Sequence, residues 1–294
     1  MARVLTEVGE AYVIKLVLAD MDGTLLPFGA DRVSNRTQAA IRALGETGIT
    51  FGLATGRDMP QLRTFFDDGT AFGTGIMANG MKVYVDGELS YLMLLENESL
   101  QRISDLLEDE PDAFLNLYPH GEEGEQRILS VGCTKVDVER FSTRFPLEST
   151  IVPCVPDIPL ISATIACFGA AEEFSELIDR VKDQVPCFDY VLPFAGWCDI
   201  LPAGVNKGTS LPRLLEAMDV SADEVLFFGD GDNDLPIYGA LENTVAMANA
   251  MPAAAAAARW HIGSCEEEGM AVALEELARA VQAGETPLFM RDPA

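Results

Sequence analysis

The sequence predicts an α/β fold with an α+β module inserted into it. Three observations carry that expectation. Short apolar runs alternate with helical patterns at both ends of the chain. Those runs repeatedly stop at clusters of Asp, Thr, Asn and Gly, and the middle third loses the alternation. With 294 residues, the chain has room for two domains of about 100–200 residues each.

Residues 13–19 (VIKLVLA) are mostly β-branched or leucine, the pattern of a buried strand, and the run stops at Asp20-Met21-Asp22-Gly23-Thr24. Ser34 can cap a helix to about residue 44, with Ala40, Ile41 and Leu44 on one face and Gly48 ending it. Residues 49–54 (ITFGLA) form the next strand and stop at Thr55-Gly56-Arg57. A helix at 60–66 follows, Pro60 suiting its first turn, and a weaker strand at 75–78 ends at Asn79-Gly80. This repetition implies a parallel sheet with its loops gathered at one edge.

From 86 to 192 the pattern changes. Strands are expected near 89–94, 114–118, 128–131 and 160–168, and helices at 98–110, 136–145 and 171–185. Several strands to a few helices suggest a mainly antiparallel sheet. Alternation then resumes: a short strand at 199–201, a helix at 207–218, a strand at 225–228 ending at Gly229-Asp230-Gly231-Asp232-Asn233-Asp234, and a strand at 244–247. Pro252 opens the alanine run 253–258, read as a helix, and a last amphipathic helix covers 269–283. The expected division is 1–85 plus 193–294 for the core and 86–192 for the insertion.

Composition narrows the partners. Apolar residues at 48% and charged residues at 23% match ordinary globular proteins and argue against a disordered or fibrous chain. The net charge of −27 repels phosphate backbones and anionic membrane surfaces, so neither nucleic acid nor membrane is an expected partner. The insertion holds 22 acidic and 7 basic residues, more than half of the excess. No apolar run approaches about 18 residues. The six cysteines form no C-x-x-C pair, and the opening MARVLTEVGEAYVIK lacks a signal core, so a cytoplasmic protein with reduced thiols is expected. The oligomeric state is left open.

Asp20, Asp22, Thr55 and 230–234 each follow an apolar strand, and in an open parallel sheet such ends line one crevice. Carboxylates crowded there repel unless a cation sits among them, and hard oxygen ligands suit Mg²⁺. Lys207, opening a helix, would add an ammonium, and together these groups make a phosphate site. One aspartate can then attack phosphorus, and a second, two residues on, can protonate the leaving oxygen and activate water. His120 and His261 fall outside every motif, so no Ser-His-Asp site is expected.

Asp20-Met21-Asp22-Gly23-Thr24, Thr55-Gly56-Arg57, Asn206-Lys207-Gly208 and 229–234 resemble, in order and spacing, the four motifs of the haloacid dehalogenase superfamily in its Cof-type phosphatase branch, subfamily IIB. Asn79-Gly80, the 245–250 segment and 268–271 resemble further recurring pieces of that branch. The fourth motif carries an extra Gly231-Asp232, and Ala248 stands where the branch often has glycine. The resemblance implies a Rossmann-like core with an inserted C2-type cap. It implies Asp20 as nucleophile and Asp22 as general acid/base. Mg²⁺ would be held by Asp20, the Asp22 carbonyl and Asp230. Thr55, Gly56, Lys207 and Asn233 would hold the phosphoryl group, with Asp234, Arg57 and Asn79 in support. The implied activity is Mg²⁺-dependent hydrolysis of a small phosphorylated metabolite, sugar phosphates first. The alternatives are a phosphomutase, a non-catalytic phosphometabolite sensor and, as a weaker reading, a phospholipid or nucleic-acid phosphatase.

Overall fold

The computed structural model of the chain describes residues 4–5, 11–110, 112–120, 128–134, 149–194 and 196–291. The chain divides into two compact units, Met1–Leu92 with Asn206–Ala294, and Met93–Val205.

In the first unit a two-residue antiparallel pair, β1 (Val4–Leu5) and β2 (Ala11–Tyr12), precedes the main sheet. That sheet holds β3 (Leu16–Ala19), β4 (Thr50–Ala54), β5 (Gly75–Met77), β6 (Lys82–Val85) and β7 (Glu88–Leu92). After the insertion it gains β14 (Val225–Gly229), β15 (Thr244–Met247) and β16 (Trp260–Ile262). The order is β16-β15-β14-β3-β4-β5-β6-β7. Pairing is parallel from β16 to β5 and antiparallel in β6 and β7.

The all-apolar character of β3 has a direct cause: side chains alternate between two packed faces. Val17 and Ala19 join a core with Ile41 and Leu44 of the helix Asn35–Gly45 and with Leu274 and Leu277 of the helix Gly269–Ala283. Leu16 and Leu18 join a second core with Leu211 and Leu214 of the helix Lys207–Met218. Ser34 Oγ caps the first of these helices, accepting from Thr37 N at 3.1 Å.

The second unit is built on β8 (Ala113–Pro119), β9 (Ile128–Val131), β10 (Ser149–Ile151), β11 (Leu160–Cys167), β12 (Phe188–Phe194) and β13 (Trp197–Pro202). Their order is β10-β9-β8-β11-β13-β12, antiparallel except for β9 with β10. Helices Asn97–Leu106 and Ala171–Gln184 each bury one apolar stripe, Leu100 and Ile103 in one, Phe174, Leu177, Ile178 and Val181 in the other.

The division differs from the sequence boundaries at 85/86 and 192/193, for a physical reason on each side. The strand expected at 89–94 is β7, which hairpins with β6 and so extends the first unit's sheet. The strand expected at 199–201 lies within β13, whose Asp199 stands opposite Thr164 of β11 in the second unit. The helix expected at 60–66 is a single turn, Met59–Leu62, and the one expected at 136–145 lies outside the described residues. Among the described residues no helix is long and apolar enough to cross a membrane.

Candidate active site

In the first unit's sheet β14, β3 and β4 are neighbours, and the chain runs outward from β3 in both directions. Their carboxyl ends therefore meet at a topological switch point, where open α/β sheets form their crevice. Asp20 follows β3, Thr55 follows β4 and Asp230 follows β14.

The centre of the crevice is buried and charged. Asp20, Asp230 and Asp234 each offer a carboxylate oxygen, all within 4.8 Å of one another. Lys207, 1% exposed, donates from Nζ to Asp20 Oδ1 at 2.8 Å and to Asp234 Oδ1 at 2.7 Å. It is the first residue of its helix, and its approach is set by the cap before it. Asn206 Oδ1 accepts from Thr209 N at 3.0 Å, and Asn206 N donates to Thr209 Oγ1 at 2.9 Å. Asp234 Oδ2 accepts from the backbone N–H groups of Asp230 and Gly231, both at 3.1 Å. Both Asp234 oxygens are thus committed inside the protein. Asp230 Oδ1 accepts from Thr24 Oγ1 at 2.7 Å.

Burial pushes the Asp20 carboxyl up to about 7 against the pull of Lys207, with Asp234 adding to the rise. Burial also raises Asp230 to about 6, opposed by its bond from Thr24. Burial alone would lower Lys207, but the charges of Asp20 and Asp234 outweigh it, and its pKa is raised. Three buried carboxylates against one ammonium leave the cluster short of positive charge. A hard divalent cation on the Asp20 and Asp230 oxygens fits that donor set.

At the rim, Arg57 holds Asp22 bidentately, Nε to Oδ2 at 2.7 Å and Nη2 to Oδ1 at 2.6 Å. The guanidinium lies 4.5 Å from the Phe65 ring centroid. Thr55 is buried and its Oγ1 accepts from Arg57 N at 3.1 Å. Asn79 N donates to Thr55 O at 3.1 Å, which draws the 78–80 turn against the Thr55 loop. Asn233 is exposed, beside the buried Asp234.

The structure thus gathers Asp20, Lys207, Asp230 and Asp234 into one cluster, pairs Asp22 with Arg57, and groups Thr55, Gly56 and Asn79 beside them. Two residues of the site have no task in the sequence reading. Thr24 stands inside a motif, and a Thr after Gly at a strand end is itself a donor signal. Asn249 lies in the 245–250 segment; its Nδ2 donates to Gly23 O at 2.8 Å and its Oδ1 accepts from Cys265 N at 2.8 Å, bracing the 20–24 loop. Gly23 has φ 80°, and a Cβ there would overlap the Asp230 carboxylate, so both conformation and space demand glycine.

A family model described as haloacid dehalogenase-like hydrolase matches residues 17–274, and the chain belongs to that family. With its relatives it is an enzyme of the phosphatase class. It is 26% identical over 242 residues to the HMP-PP phosphatase of Klebsiella pneumoniae, a match covering 81% of this chain and 85% of that one. Its fold is similar to that of a phosphatase of the haloalkanoate (HAD) enzyme superfamily from Bacteroides thetaiotaomicron. There the TM-score is 0.71 at 23% identity, over 90% of this chain and 96% of the other. It is also similar to a HAD subclass IIB sugar phosphatase, with TM-score 0.66 at 21% identity over 89% and 98% of the two chains.

Proposed function

We propose that this enzyme is a Mg²⁺-dependent phosphatase that removes the phosphoryl group from a small phosphorylated metabolite, with the cytoplasm as its working compartment. The observation that carries the reading is the buried Asp20 carboxylate, held at one oxygen by Lys207 and set beside Asp230, with Asp22 two residues on at the rim. Sugar phosphates are the first substrate class to test, because a fold neighbour is named a sugar phosphatase. The name HMP-PP phosphatase on a relative adds HMP-PP to the panel.

In this mechanism an Asp20 oxygen attacks phosphorus, the bond from phosphorus to the leaving oxygen breaks, and Asp22 gives that oxygen its proton. Water then attacks the aspartyl-phosphate, Asp22 takes a proton from it, and inorganic phosphate leaves with Asp20 restored. Lys207, the Thr55 hydroxyl, the Gly56 N–H and the Asn233 amide hold the phosphoryl oxygens, while Asp234 keeps Lys207 in place. Both Asp22 oxygens accept from Arg57, so Asp22 must leave that pairing to hand a proton to the leaving oxygen. Asp20, Asp230 and the Asp22 main-chain carbonyl would hold Mg²⁺. When bound, the ion neutralises charge on the transferring phosphoryl group. The inserted unit is assigned the part of a cap that selects the substrate and excludes water.

The direct test is phosphate release from a panel of sugar phosphates, nucleotides and HMP-PP, with Mg²⁺ and with EDTA. Release that stops in EDTA and returns with Mg²⁺ is expected; metal-independent turnover would sink the reading. Isomerised product without phosphate release would instead point to a mutase.

A second expectation concerns pH. In metal-free protein Asp20 and Asp230 bind protons more tightly when folded, so stability falls as pH rises from about 4 to about 7. Mg²⁺ replaces those protons and is therefore expected to raise the Tm more at pH 7.5 than at pH 5. An equal shift at both would mean that it binds elsewhere.

A further inference from the structure

We infer that the buried Lys82–Asp58 pair is an ionic clasp that fixes the Thr55–Gly56–Arg57 loop for phosphate, which makes Lys82 a positioning residue. The inference rests on the phosphatase reading of that loop. Lys82 opens β6 at 4% exposure, and its Nζ lies 2.6 Å from Asp58 Oδ2. Asp58 is also the N-cap of the helix Met59–Leu62, accepting from Met59 N at 2.8 Å through its other oxygen.

A lysine is not needed there for the fold. The cap requires Asp58 alone, and the face of β6 that carries Lys82 is otherwise apolar: Tyr84 two residues on and Met77 opposite Lys82 both join the buried core. Burying an ammonium is unfavourable compared with an apolar residue of the same length, so the pair supplies geometry rather than stability.

The geometry it supplies is at the phosphate loop. The loop after β4 and the turn after β5 lie side by side, laced by Ala78 N to Arg57 O at 3.0 Å and Asn79 N to Thr55 O at 3.1 Å. Ala78 and Asn79 both take left-handed backbone conformations, φ 50° and 54°, unfavourable for residues with a Cβ unless their surroundings enforce them. The Asn79 side chain packs onto Gly56, where a Cβ would stand 3.0 Å from its Oδ1. Lys82 lies opposite Met77 in the β5–β6 hairpin that closes this turn, and Asp58 ends the phosphate loop. The salt link therefore ties the end of the phosphate loop to the end of the strained turn. Without it the turn can relax and carry Asn79 and Gly56 out of register.

The test uses Lys82→Met, Asp58→Asn and the double variant in the full-length enzyme. Inorganic phosphate, with Mg²⁺ present, is the calorimetric probe, beside kcat and KM. Lys82→Met is expected to weaken phosphate binding and raise KM about tenfold, with kcat within about threefold, the pattern left when an interaction made equally to bound substrate and transition state is lost. Asp58→Asn keeps the helix cap, because asparagine caps as well as aspartate, and is expected to show the same loss. The double variant should be no worse than Lys82→Met, the signature of one coupled unit. Phosphate affinity within twofold of native in Lys82→Met, or losses that multiply in the double variant, would overturn the clasp. Should Lys82→Met not fold, Asp58→Asn decides: weakened binding supports the clasp and native binding overturns it. A native enzyme that binds phosphate but hydrolyses nothing overturns the phosphatase reading alone, and one that does not bind phosphate overturns both.

Discussion

Asp20→Asn is expected to lower turnover by about 10⁴-fold or more while the fold stays intact. The substitution changes one oxygen to an NH₂ group. It removes the proposed nucleophile, because an amide does not attack phosphorus, and it alters one of the three oxygen donors proposed for the cation. What holds the site together survives. Lys207 keeps its 2.7 Å bond to Asp234, and the new side-chain amide can still present a carbonyl oxygen to it. Burial disfavours the charged form of Asp20, so a neutral side chain there relieves repulsion with Asp234. The Tm measured without Mg²⁺ should therefore be unchanged or slightly higher. The measurements are kcat on the best substrate of the panel, together with far-UV circular dichroism and Tm. Activity within tenfold of native in a folded variant would remove Asp20 from the nucleophile's place.

Lys207→Met is expected to hurt both folding and catalysis, and that contrast makes the pair of variants informative. The methionine fills much of the space but leaves Asp20 and Asp234 buried without their cation. Breaking a buried ion pair on one side destabilises by about 3–5 kcal/mol, which for a domain of this size lowers the Tm by roughly 10 °C. Loss of the ammonium proposed to hold the phosphoryl oxygens is expected to cost a further 10²–10³-fold in kcat, roughly that of one charge-stabilising donor. The sign of the pH effect follows. Asp20 already titrates near 7 with Lys207 present and higher without it, so the lost stability should return as pH falls and the carboxylates take up protons. A scan of Tm against pH checks this. A variant as stable as native at pH 7.5 would mean that Lys207 is not what neutralises the cluster.

Both ends of the chain can be read from pattern alone because β3, β4, β14 and β15 are buried on both faces, and burial of that kind leaves uninterrupted apolar runs. Asp20, Thr55 and Asp230 can be placed together for the same reason: parallel strands deliver their carboxyl ends to one edge. The hairpin β6–β7 is harder. Its β7 half, ELSYL, has exposed or half-buried side chains throughout, so no apolar run announces that it belongs to the first sheet. β13 misleads in the opposite direction, since its pairing with β11 depends on partners far away in the sequence. The Arg57–Asp22 pair and the Lys82–Asp58 pair are out of reach for a further reason. Motif and spacing mark Asp22 and Arg57 as site residues but not as each other's partner, and Lys82 and Asp58 look like ordinary solvated groups until the fold shows what lies opposite.

The distance along the chain between the two halves of the crevice also shapes how the protein is made. Thr24 and Asp230 are hydrogen-bonded yet separated by 206 residues. During synthesis at about 5–20 residues per second, β3 leaves the ribosome roughly 10–40 s before β14 exists to cover its edge. In that interval Leu16–Ala19 is a bare apolar strand, with β4 and β5 on one side and nothing on the other. The Met93–Val205 unit emerges meanwhile, and its sheet pairs strands from its own stretch of chain, so it can complete itself while the first sheet waits. Chaperone demand should accordingly peak late in translation, and chains truncated before residue 225 should be aggregation-prone and unable to assemble the carboxylate cluster.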